Sequence, residues 1–247
     1  MYPLRRGAEL LAKLPRQLLT VDFVRYLLCL CRYAWLRRRL RVLDPLPPGV
    51  ARNTVMHNLK GVRDLAAPRS HRIIRPLVAI DRVRDGQKKK RVLTVGPRVE
   101  GELFNLIGYG FSGRNVRGLD LITYSPFVDL GDMHAMPYED STFDVVILGW
   151  VLAYSDDKRA AAQEVIRVAK SGAVVAIGVS WNPKSNEGLE RELGYVPGSE
   201  NRLQSSADLL SLFAGHVGHV YFALDPEPIT ANKVSGIVTI FRMDKSG

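Results

Sequence analysis

Three stretches in the middle of the chain carry residue types suited to holding a small polar ligand. The first is Val95-Gly96-Pro97-Arg98-Val99-Glu100-Gly101-Glu102, which follows a short apolar run and opens a helix-like one. Gly96 permits a tight turn there, and Gly101 allows a close backbone approach at the helix start. The loop is not G-x-G-x-x-G, and Pro97 removes one N–H that a phosphate would use. Alone, it reads equally well as a plain strand-to-helix turn. The second is Asp120, 24 positions beyond Gly96 on another strand-like run, where a carboxylate can accept hydrogen bonds from both hydroxyls of a ribose. The third is Asp132-Met133, inside Val128-Asp129-Leu130-Gly131-Asp132-Met133-His134-Ala135-Met136-Pro137-Tyr138, with Phe143-Asp144-Val145-Val146 close behind. An aspartate followed by an apolar residue can bond an adenine amino group and cover its ring. Taken singly, each of these also reads as a loop polar or a core residue.

The elements that must position them alternate from Arg91 onward. Arg91–Val95 is a short, partly β-branched run ended by Gly96, as in a buried parallel strand. Glu102–Tyr109 reads as helix, Val116–Ile122 and Phe143–Trp150 as strands, and Ser155 as the cap of a helix through Lys170 with Gly172 past its end. Ala173–Val179 is a further strand, and Val217–Leu224 with Val234–Arg242 form a terminal antiparallel hairpin. Strands alternating with helices predict a doubly wound α/β domain over residues 89–247. In such a sheet, ligands bind beyond the carboxyl ends of the strands, where all three stretches fall.

Residues 1–88 differ in character and are expected to form a basic, mainly helical extension. Of 247 residues, 35 are Lys or Arg and 25 Asp or Glu, but residues 1–91 hold 22 of the former and 6 of the latter. An excess confined to the first third points to an anionic neighbour: RNA, a membrane surface, or a phosphorylated or acidic substrate. From Asp22 the segment DFVRYLLCLCRYAWLRRRLRV runs without Gly or Pro; Arg25, Arg32 and Arg39 form one helical stripe, and Phe23, Leu27, Leu30 and Ala34 another. Tyr26, Tyr33 and Trp35 among arginines suit stacking on bases or an interfacial helix, and equally a solvated helical lid. Its apolar content predicts packing at least partly on the α/β domain, as a lid over one side of the ligand. Cys29 and Cys31 cannot make a disulfide framework or a four-ligand zinc site, and the apolar run Tyr26–Cys31 is too short for a membrane span of ~20 residues. The expectation is a cytoplasmic protein, free to sit at the periphery of a membrane.

In this order, the motifs resemble those of class I S-adenosylmethionine-dependent methyltransferases, over roughly Arg91 to Trp181. Gly131-Asp132 through Met136-Pro137-Tyr138 to Phe143-Asp144-Val145-Val146 resembles the family's G-D-x-x-x-L-P-F…F-D-V-V, and Glu164-Val165-Ile166-Arg167-Val168-Ala169-Lys170-Ser171-Gly172-Ala173 its E-x-x-R-V-L-K-P-G-G. The resemblance implies a seven-stranded Rossmann-like sheet and S-adenosyl-L-methionine as cofactor. It implies that Gly96, Pro97 and the backbone to Gly101 hold the methionine part, Asp120 the ribose, Asp132 and Met133 the adenine, and Gly149 and Trp150 the space beside the sulfonium. Two departures stand out: Thr94 where the family has an acidic residue, and Gly96-Pro97-Arg98 in place of G-x-G. Arg98 and Glu100 either bind the cofactor's carboxylate and amino group or form a surface ion pair.

Methyl transfer needs an aligned acceptor and, for a hydroxyl, a base. His134, Tyr154 and Asp156 are the candidates, with structural readings open for each: His134 in the adenine loop, Asp156 with Asp157 at a helix start, Tyr154 with Trp150 in the core. The acceptor expected is a small molecule or a glycan- or lipid-linked group, with RNA second because no RNA-binding module is present. A nicotinamide-dependent reductase is disfavoured by the missing G-x-G-x-x-G and Tyr-x-x-x-Lys. A non-catalytic adaptor docking through the basic segment is the third reading. No metal-binding constellation is visible.

Overall fold

The computed structural model describes residues 15–46, 65–193, 202–227 and 234–245. The expected helical stretches within 1–14 and 47–64 lie outside them. The central sheet has seven strands: β1 (Val92–Val95), β2 (Val116–Asp120), β3 (Val128–Leu130), β4 (Phe143–Gly149), β5 (Ala169–Trp181), β6 (Val217–Leu224) and β7 (Ser235–Met243). Their order across the sheet is β3-β2-β1-β4-β5-β7-β6. The first five are parallel, and β7 runs antiparallel to both β5 and β6, making the expected terminal hairpin. The order reverses between β1 and β4, so the crevice beyond Val95 and Gly149 is the topological switch point.

β1 and β4 are apolar nearly throughout because both faces of the sheet are covered. Helix α3 (Gly101–Gly108), wholly buried, packs on one face with the N-terminal elements. On the other lie α4 (Lys158–Val168) and the short α6 (Ser206–Ser211), while α5 (Asn186–Leu193) follows β5. Helix α4 is capped by Asp157, which accepts from Ala160 N at 2.9 Å, and not by the expected Ser155. It gives way to strand at Ala169, earlier than the sequence suggested, because β5 already pairs with Phe143 there. β3 lies within a stretch that sequence alone reads only as ligand loop.

Helix α1 (Asp22–Leu36) and helix α2 (His71–Ala79) share the core of α3 and β1. The helix expected through Val42 stops at Leu36; Arg37–Arg39 is a 3-10 turn, and Arg41–Val42 pairs antiparallel with Ile122–Thr123. The two stripes of α1 face opposite to ordinary amphipathic expectation. Arg25 is fully buried, donating to Ala66 O and Leu19 O at 2.8 Å and pairing with Asp22. Arg32 points inward as well, while Phe23 is 69% and Trp35 75% exposed, with Tyr26, Leu27 and Leu30 beside them. The inward arginines are satisfied by partners, which is what burying a cation requires.

Candidate functional site

A cavity opens at the switch point, floored by Gly96–Val99 and Gly149–Val151 and reaching Glu102, Asp120, Asp132 and Met133. Ala67, Arg69 and Ser70 roof it, and Tyr154 closes one side. Among the expected residues, Gly96, Pro97, Arg98, Asp120, Asp132, Met133, Gly149, Trp150 and Tyr154 are thus brought together. Gly96 has φ +70°, and a Cβ there would meet Val151 at 2.6 Å, so the turn requires glycine on both counts. Arg98 (φ 55°), where the family has its second glycine, keeps the left-handed backbone without the glycine. Trp150 (φ 63°) is strained likewise. A left-handed backbone at bulky residues on two sides of one cavity is the pattern of a functional site.

Glu100 and Gly101 are placed elsewhere, which corrects the expectation that they meet a cofactor. Arg32 passes between Phe104 and Phe127, 5.5 and 5.3 Å from the ring centroids, to give Glu100 two hydrogen bonds of 2.7 Å. Ser125 Oγ supplies a third, and the Glu100 side chain is fully buried. Against the desolvation of burial, Glu100 holds Arg32 above its ordinary pKa. Glu100 is therefore spent on Arg32, fastening α1 to the first loop, while Arg98 stays in the cavity lining. Gly101 is needed for packing, since a Cβ there would meet Leu65 O at 2.3 Å.

The carboxylate missing at Thr94 is supplied from α3. Glu102, in the helix's first turn, accepts a short hydrogen bond from Thr94 Oγ1 and lies under Gly149. Sequence reasoning passed over it; the available signal was an acid eight residues past the departure, on the face that turns back to β1. Burial pushes Glu102 up to about 7, against the Thr94 hydrogen bond, with the nearby Asp120 adding. Burial likewise pushes Asp120 up to about 6, although Arg98 N and Ile122 N donate to it at 2.8 and 3.2 Å. Two buried carboxyls facing one cavity suit a ligand that brings positive charge and hydroxyl donors.

The remaining motif residues build the walls. Glu164 accepts from Met136 N at 2.6 Å, while Arg167 bonds Glu164, Asp140, and the carbonyls of Met136 and Tyr138. The E-x-x-R element is therefore a clamp on the loop after Asp132. Asp132 bonds both His134 N (3.1 Å) and Nδ1 (2.8 Å), and His134 Nε2 meets Ser155 Oγ at 2.7 Å. Both ring nitrogens are thus occupied, and neither His134 nor the exposed Asp156 lines the cavity. Helix α1 does not line it either: among the described residues the roof comes from Ala67, Arg69 and Ser70. Among the described residues, no group of His, Cys, Asp and Glu could hold a metal ion.

Residues 111–177, from before β2 into β5, match the model of the family described as Methyltransferase domain. No curated protein is matched by sequence. Three solved structures share the fold. A chain of the complex containing the Haloferax volcanii Trm112 methyltransferase activator has TM-score 0.51 and 13% identity, over 79% of this chain and 96% of that one. A "putative sarcosine dimethylglycine methyltransferase" from Galdieria sulphuraria has TM-score 0.50 and 15% identity, over 69% and 84%. The MccD protein has TM-score 0.50 and 13% identity, over 66% and 94%. The three structures share the Rossmann-like sheet, and the match over residues 111–177 places the signature of a methyltransferase domain on the part of it that carries the switch point. The cofactor that this match implies is S-adenosylmethionine. The ammonium, sulfonium and ribose hydroxyls of that molecule would supply positive charge and donors to a cavity holding two buried carboxyls, Glu102 and Asp120.

Proposed function

We propose that the protein transfers a methyl group from S-adenosylmethionine to a small-molecule or glycan- or lipid-linked acceptor entering beside Trp150 and Tyr154. The observation that carries this is the pair of carboxyls, Glu102 and Asp120, buried in one cavity whose far side is bounded by strained Trp150. Glu102 would take the amino group, Asp120 the ribose, and the Asp132–Met133 turn the adenine. Bound there, the cofactor offers an electrophilic methyl on its sulfonium. The chain's part is to align the acceptor and keep water from it. Of the three candidate bases, Tyr154 alone reaches the cavity and is assigned the contact with the acceptor.

The outward apolar face of α1 supports delivery at a membrane. Phe23, Leu27, Leu30 and Trp35, followed by Arg37, Arg38, Arg39 and Arg41, have the composition of a helix lying in an anionic interface. No helix of the described residues is long and apolar enough to cross a membrane. The test incubates the full chain with methyl-labelled cofactor and a cell extract, then separates small molecules, lipids and RNA. Label in either of the first two is expected. Label confined to RNA would overturn the acceptor assignment, and failure to bind S-adenosylhomocysteine by calorimetry would favour a non-catalytic adaptor. Flotation with phosphatidylglycerol vesicles checks the membrane contact: Phe23→Ser with Trp35→Ser should abolish it.

A further inference from the structure

We propose that Arg69 and Arg72 form the binding site for an anionic group, a phosphate or carboxylate, on the methyl acceptor; this rests on the methyltransferase reading above. The turn Pro68–Ser70, entered through Ala67 at φ 47°, carries Arg69 back over the carboxyl ends of the strands. Its guanidinium lies 4.5 Å from the centroid of the Trp150 ring and donates to Ser180 Oγ on β5. The Arg72 guanidinium stands 5.9 Å from the same ring and against Gly236 of β7, where a Cβ would meet Nη2 at 2.8 Å. Ser180 and Gly236 are cross-strand partners, so the two arginines reach neighbouring points on one strand pair.

Two guanidiniums on one indole form a rigid double fork, the geometry that carboxylate and phosphate oxygens fill. Neither forms an ion pair with a carboxylate among the described residues. Desolvation lowers the Arg69 pKa from its ordinary value, opposed by Tyr154 and reinforced by Arg72 and Arg98. The like charges are therefore held together without a counter-charge, which a ligand would bring. Trp150 adds a buried indole N–H that has no partner. The position separates acceptor from cofactor: Arg69 lines the cavity at its roof, whereas Arg72 stands outside the lining. An anion held by both lies at the mouth, beyond Trp150, and not on the floor with Glu102 and Asp120.

The experiment titrates inorganic phosphate and, separately, succinate into the full chain saturated with S-adenosylhomocysteine, reading calorimetry and tryptophan fluorescence. Saturable binding of at least one is expected, the tighter anion naming the source. Arg72→Ala, whose exposed side chain outside the cavity should be removable without unfolding, should weaken it roughly 10- to 100-fold while S-adenosylhomocysteine binds as before, and Arg69→Ala should weaken the anion by a similar factor. No saturable binding of either anion, or equal binding by the variants, overturns the proposal. It is also overturned if both variants lose affinity for S-adenosylhomocysteine but not for methylthioadenosine, which lacks the carboxylate; the arginines would then hold the cofactor. A parent that binds the anion but no S-adenosylhomocysteine would sink the methyltransferase reading and leave the anion site standing.

Discussion

Glu100 and Glu102 stand two residues apart, both with their side chains withdrawn from water, and face opposite situations. Glu100, behind the first loop, receives a two-pronged guanidinium and a hydroxyl. Glu102, in front of it, has one hydroxyl and a second carboxyl for a neighbour. A compensated buried charge holds structure together, whereas an uncompensated one is tolerated where a ligand will compensate it. On the reading proposed above, the carboxyl that Thr94 cannot offer comes from Glu102 of α3, beneath Gly149.

The largest effect should come from breaking the compensated side. Arg32→Ala strands the Glu100 carboxylate in the core and should cost about 3–5 kcal/mol in urea denaturation. Combining Arg32→Met with Glu100→Gln should recover most of that loss, because no charge is then left buried. A single-variant loss below about 1 kcal/mol would show that water reaches Glu100. The uncompensated side should behave differently. Asp120→Ala should retain the fold and weaken S-adenosylhomocysteine binding roughly 10- to 150-fold, the loss of charge-assisted bonds of ~1.5–3 kcal/mol. Unchanged affinity would remove Asp120 from the ribose assignment.

Protonation sharpens the contrast. Burial raises Glu102 to about 7, so the folded state retains a proton that the unfolded chain gives up near its ordinary pKa of 4.5. The ligand-free protein should therefore lose stability as pH rises from about 4.5 to about 7 and level off above it. Cofactor binding should move the other way, tightening as Glu102 and Asp120 ionise. Glu102→Gln should flatten both profiles, measured by thermal melts and by calorimetry at successive pH values. A variant with the parent's slope in both would show that Glu102 is not the group responsible.

Much of the sheet was legible because β1, β4 and the 173–179 part of β5 are largely apolar runs, the first two closed by Gly96 and Gly149, and such runs have few alternative fates. Asp120, Asp132 and Trp150 were legible as cavity residues because they follow strand ends. Glu100 was misplaced, and Glu102 passed over, because helix phase decides which of two acids two positions apart faces the sheet. The arginine stripe of α1 was read without its orientation, since two of its partners, Glu100 and Ala66 O, come from segments remote in sequence. Arg69 gave no local signal, as its place over Trp150 depends on a backbone turn at Ala67.

The smallest effect concerns Asp132, which lines the cavity yet spends its carboxylate on His134. The hydrogen bond that His134 Nδ1 donates to the Asp132 carboxylate raises the His134 pKa, against desolvation, with the Asp132, Asp157 and Asp156 charges assisting. A raised histidine contributes stability that is complete below its unfolded pKa near 6.5 and fades as pH climbs through the folded value. Asp132→Asn keeps an acceptor but removes the charge, so it should cost about 0.5–1.5 kcal/mol at pH 6 and much less at pH 9. Thermal melts without cofactor at the two pH values check this, with affinity for S-adenosylhomocysteine measured beside them. If affinity falls and the melts do not, Asp132 belongs with Asp120 as a ligand contact. If the melts fall and affinity barely moves, it belongs with Glu100 as an anchor of the loop.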